Sequence, residues 1–213
     1  MRDQPTASPE PLILPRGIRF PHPHEFPTGS DAEQARVHQA RITTGYRLLP
    51  YTGGVYSAYL DVNAHAITLF ALFHDLALTL LPRVAAPIIA VKDGDAYTGP
   101  YTIRAAALRV FEPHTDALQH DGFLAFGLLS EHEGLTEEVF VQPSKHIQIW
   151  TNQPAVARAV LARRRIPEVP DLQFMDQYPL VTEPLQTPEG APTWPLVLEQ
   201  VRAAFATLPA PER

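Results

Sequence analysis

Hydrophobic residues along this chain change their spacing several times, and each change marks an element. Residues 64–81 are apolar on nearly every side, with only Thr68, Asp75 and Thr79 lined up as a narrow polar stripe. A helix that is apolar all round is buried on most faces. The segment is therefore predicted as the central helix of the fold, capped by Asn63 and stopped by Pro82. Residues 139–151 follow a different rule. His146, Gln148 and Trp150 alternate with Ile147, Ile149 and Thr151, which is the period of a half-buried strand presenting the first three on one face. Residues 123–129 read as its hairpin partner. The connection between them is the acidic stretch Glu131-His132-Glu133-Gly134 with Glu137-Glu138, and Pro143 is expected at a bulge or an edge.

Shorter signals fill in the rest. Residues 87–92 read as a buried strand before the Asp93-Gly94-Asp95 turn, and 55–62 as a short strand after the Gly53-Gly54 turn. A helix is predicted over 30–42, opened by Ser30 with Glu33 three residues later. Another covers 154–165, with Pro154 in its first turn and three arginines at its C-terminal end. A third covers 194–208, where Leu196, Leu198, Val201, Ala204, Phe205 and Leu208 make one stripe. Residues 102–111 allow helix or strand, with helix preferred, and a further helical turn is expected over 113–120. Gly45 and Pro50 read as helix stops and 97–101 as a loop. The set predicts an α+β fold, a small and mainly antiparallel sheet packed against the 64–81 helix.

Proline divides the chain further. Residues 1–30 hold seven of the 23 prolines and residues 167–213 hold nine. Proline fixes φ and removes a backbone donor. The organisation expected is an extended leader (1–29), an α+β core (30–165) and a proline-rich arm (166–213) whose C-terminal helix packs on the core.

Charge and cysteine content narrow the function. The net charge is −6, against the basic excess of a nucleic-acid binder. The chain has no cysteine, which excludes disulfides, thiolate nucleophiles and thiolate-bound metal clusters. No apolar segment follows Met1 as a secretory signal requires. Asp75 near the middle of the longest apolar run argues against a membrane span, at about 2.5–3.5 kcal/mol for its insertion. A cytoplasmic protein is expected. No phosphate-binding glycine loop and no Gly-x-Ser-x-Gly elbow is present, and both would carry specific chemistry.

Four constellations could carry chemistry. Leu72-Phe73-His74-Asp75-Leu76 resembles the core motif of the HD-type metal-dependent phosphohydrolases. The resemblance implies a divalent metal held by His38, His74 and Asp75 with a late aspartate, Asp116 or Asp121. Such a metal would lower the pKa of a bound water. The second set is His114, Asp116, His120 and Asp121, whose two pairs cannot converge on one ion along an unbroken helix. The third is the acidic patch Glu131, Glu133, Glu137 and Glu138, suited to a basic partner because opposite charge speeds encounter. The fourth is the strand face His146, Gln148 and Trp150, an aromatic anchor with polar neighbours. The leading expectation is a non-enzymatic protein-binding module, inhibitor or immunity-like, without cofactor, acting on a protein partner or on a second copy of itself. The alternative is the metal-dependent phosphohydrolase.

Overall fold

A computed structural model describes residues 10–185 and 192–211. Residues 1–9 of the expected leader, and 186–191 and 212–213 of the expected arm, lie outside the described residues. In chain order the elements are β1 (Ile18–Arg19), α1 (Asp31–Gln39), β2 (Gly45–Pro50), β3 (Ala58–Asn63), α2 (Ala66–Leu80), β4 (Val84–Val91), β5 (Ala96–Thr98) and β6 (Thr102–Ile103). There follow α3 (Arg104–Phe111), α4 (Thr115–His120), β7 (Leu124–His132), β8 (Leu135–Val141), β9 (Ile147–Thr151), α5 (Pro154–Arg163), β10 (Val181–Thr182) and α6 (Trp194–Ala206).

The main sheet runs β2-β3-β9-β8-β7-β4-β5, with β6 also on β4, and its pairs are antiparallel. It is an α+β fold, as the alternating and helical periods predict. Alternate strand positions separate the two faces. Leu60, Val62, Ala85, Ile89, Phe126, Val139, Val141, Ile147 and Ile149 all point to one side and join the core. On that side α2 supplies Leu69, Leu72, Phe73, Leu76 and Leu80, and α6 supplies Val197, Val201 and Phe205. Phe73 meets Phe126 edge-on at 4.9 Å. The polar stripe of α2 lies where the hydrophobic pattern puts it: Thr68 and Thr79 are exposed and Asp75 pairs with Arg164. Among the described residues no helix is long and apolar enough to cross a membrane.

Several elements differ from expectation. The predicted hairpin of 123–129 and 139–151 is a three-stranded meander, because the chain reverses over 142–146. Gln142 N donates to His146 O (3.0 Å) and Lys145 takes a positive φ of 62°. A left-handed lysine has no sequence signature of the kind glycine gives. The acidic connection is mostly strand, with Glu131 in β7 and Glu137 and Glu138 in β8. Only Glu133 occupies the tight turn, at φ 52°. Gly45 and Pro50 bound strand β2 rather than stopping a helix, and β5 lies at the start of the expected 97–101 loop. Helix α1 ends at Gln39, short of 42, and Ser30 Oγ bonds Pro27 O (2.6 Å) instead of capping. Residues 102–111 are a strand for two residues and helix thereafter.

Chain segments on either side of the core meet. β1 pairs with β10, Ile18 opposite Thr182 and Arg19 opposite Val181. Arg19 joins Glu25 and Glu183, each at 2.6 Å. Residues 167–169 run along the outer edge of β2 through Tyr46 N to Pro167 O (2.9 Å) and Val169 N to Tyr46 O (2.8 Å). That contact covers an edge that would otherwise offer unpaired backbone groups.

Candidate partner-binding face

The face of the sheet turned away from the core is built from the opposite strand positions. Cross-strand register places Leu49, Tyr59, Trp150, Glu138, Leu129 and Ala86 side by side on β2, β3, β9, β8, β7 and β4. The neighbouring row is Arg47, Asp61, Gln148, Phe140, Gly127 and Ile88. Of the predicted strand-face residues, Gln148 and Trp150 lie in these rows. His146 lies just before β9, buried against Phe174 at 5.1 Å between ring centres.

One part of this face is polar and partly closed. Asp61 is only 2% exposed. It accepts from Arg47 Nε at 2.8 Å and from the Tyr59 hydroxyl. Gln148 Nε2 donates to the same hydroxyl (2.6 Å), and Gln142 donates in turn to Gln148. A charge this deep is tolerable because both its oxygens are held. Burial first, then the bond to Asp61, pushes the Tyr59 hydroxyl well above its usual pKa. Phe174 lies under the Arg47 guanidinium at 4.8 Å and helps enclose a cavity of about 230 Å³ with Asp176 and Gln177.

His146 borders the same cavity. Its Nδ1 shares a hydrogen bond with Ser144 Oγ (2.9 Å), while Asp176 stands 3.7 Å from Nδ1 and Asp61 3.9 Å from Nε2. Burial lowers its pKa, which favours the neutral ring. These are the residue types of a serine hydrolase without its geometry. In that arrangement the carboxylate bonds one ring nitrogen and the nucleophile the other. Here the serine and Asp176 approach the same nitrogen, and neither carboxylate is within hydrogen-bonding distance of the ring.

The other part is aromatic. Tyr51 and Tyr56, from the β2–β3 connection, stack at 4.3 Å, and Tyr59 lies 5.3 Å from Trp150. With Leu49 and Pro50 these rings line a pocket of about 440 Å³. Leu49 is 46% exposed and Tyr51 44%.

The acidic residues divide by strand parity. Glu137 faces the core side, buried, and Glu137 Oε1 accepts from Asn152 N (2.9 Å). Glu138 faces the other way, directly across from Trp150 and Leu129. Burial, with the charge of Glu131 adding to it, pushes the Glu138 carboxyl up to about 7. Glu133 is at the exposed β7–β8 turn.

No protein-family model, curated protein or solved structure matches this chain.

The metal-ligand sets are not assembled. His38 is on exposed α1, His74 lies half-buried on α2, and Asp75 is engaged by Arg164 Nε at 2.8 Å. Asp116 is paired with Arg16 (2.6 Å), while Asp121 accepts from Phe123 N (2.9 Å). Among the described residues no three His, Cys, Asp or Glu side chains come together as a metal site requires. Sequence reasoning missed Arg47, Tyr51, Tyr56, Tyr59 and Asp61. The signal for two of them was present: Tyr59 and Asp61 alternate with the core positions Ala58, Leu60 and Val62.

Proposed function

We propose that this chain is a non-enzymatic protein-binding module of the inhibitor or immunity type, acting in the cytoplasm. It presents the face of its sheet opposite α2 and α6 to a basic protein. One observation carries the reading. That face ends in an open cluster of four aromatic rings beside Leu49, and a carboxylate stands next to it in the same row. Interface anchors are typically aromatic side chains at partly exposed pockets, and acidic neighbours favour a basic partner. The phosphohydrolase reading loses its support because His38, His74 and Asp75 do not converge.

A photo-crosslinking residue placed at position 129 or 51, on the candidate face, tests the proposal against controls at positions 67 and 78 on exposed parts of α2. The expected result is a discrete adduct with one basic protein from the face positions alone. Equal adducts from both sides, or no adduct from the face positions, would overturn it.

A further inference from the structure

We infer that the aromatic pocket lined by Tyr51, Tyr56, Tyr59 and Trp150 receives a cationic head group, the guanidinium or ammonium of a basic side chain, with Glu138 as its counter-charge. The inference rests on the binding reading above and specifies its ligand chemistry.

The pocket is lined by the two stacked tyrosines and by the tilted Tyr59–Trp150 pair. Aromatic ring faces carry negative quadrupole density, so a cation within about 6 Å of them is attracted. Rings alone would equally suit an uncharged apolar ligand. The carboxylate decides between the two. Glu138 is the cross-strand neighbour of Trp150, and Glu131 lies two positions beyond its other neighbour, Leu129, on the same face. Among the described residues neither glutamate has an ion-pair partner. Arg47, the cation one row away, is already held by Asp61 at 2.7 Å. A half-buried acid between Trp150 and Leu129 is costly without a compensating charge. An anion would meet two glutamates, and a neutral ligand would leave that cost in place. A basic side chain removes it and fills the aromatic pocket at the same time.

The test uses the full chain with Trp194→Phe, which leaves Trp150 as the only indole. Its fluorescence is titrated at pH 8 with the acetyl amides of arginine, lysine and citrulline, the last being the uncharged analogue of arginine. A saturable change is expected with arginine or lysine, and binding of citrulline about tenfold weaker or more. Glu138→Gln is expected to weaken the cationic probe roughly three- to tenfold, with an unchanged far-ultraviolet circular dichroism spectrum. Glu131→Gln, farther from the rings, is expected to weaken it less. Equal binding of citrulline and arginine, or no saturable change with any probe, would overturn the inference. If position 129 crosslinks to a protein while no cationic probe binds, the pocket assignment falls and the binding reading stands. If the probe binds and no partner crosslinks, the binding reading falls and the pocket stands.

Discussion

Asp61 and Glu138 are two acids on one sheet face in opposite circumstances. Asp61 is nearly sealed and compensated by Arg47 and Tyr59. Removing one member of a buried pair leaves an uncompensated charge. Arg47→Met is therefore expected to lower unfolding free energy by about 3 kcal/mol, while Arg47→Met with Asp61→Leu recovers most of the loss. Urea denaturation of the three proteins checks this, and an undiminished loss in the double variant would contradict it. Glu138 is uncompensated, with its carboxyl raised to about 7. Glu131, two positions along β7 from Leu129, adds its like charge from the same face, while the cross-strand neighbours of Glu138, Leu129 and Trp150, carry none. An unfolded glutamate titrates near 4.3. Between those values the folded chain holds the extra proton, so the contribution of Glu138 to stability falls as pH rises through that window. Glu138→Gln is expected to gain a few degrees in Tm relative to the parent on going from pH 5 to pH 8. A constant difference across that range would contradict the assignment. None of this was legible in the sequence as four glutamates in a row of eight residues. Their roles are set by which face each meets, and the β7–β8 turn had to be placed before parity could be read.

Elements with strong periodicity were legible. The apolar run at 64–81 gave α2, and the stripe at 194–208 gave α6, because burial on one side enforces the pattern. The edge strands β2 and β5 were not. Gly45, Pro50 and, just past β5, Gly99 resemble loop punctuation, and an edge strand tolerates such residues because it pairs with a neighbouring strand on one side only. The meander depends on a different device. Phe140 lies across Gly127 of the neighbouring strand, and a Cβ there would stand 2.6 Å from Phe140 Cδ2 and 2.6 Å from the Val139 carbonyl oxygen. The second contact is with backbone, so no rotamer change relieves it. Gly127→Ala is expected to cost about 1–3 kcal/mol and to shift the thermal midpoint down without altering the core side. A neutral result in calorimetry would mean that β7 and β8 separate more readily than this packing implies.

At the level of the whole molecule, the proline distribution pointed to segments flanking the core, but not to their pairing with each other. A pairing between distant segments leaves no local trace, and β1 and β10 are two residues each. That brevity has a dynamic consequence. The clasp joins positions as far apart as Arg19 and Glu183, separated by 164 residues, so closing it carries a loop-entropy cost that the intervening core must already have met. Its ion pairs are partly solvated, and such pairs contribute little. It is therefore expected to open on its own, well below the free energy of global unfolding. Hydrogen exchange should show the clasp amides of Arg19, Val181 and Glu183 losing protection before those of Leu60, Phe126 and Ile149, and uniform exchange would contradict this. The arm that β10 anchors also carries Phe174, Asp176 and Gln177 over the polar cavity. Opening of the clasp is therefore expected to loosen the cover over His146 and Asp61, and to leave the aromatic pocket, built on β2, β3 and β9, in place.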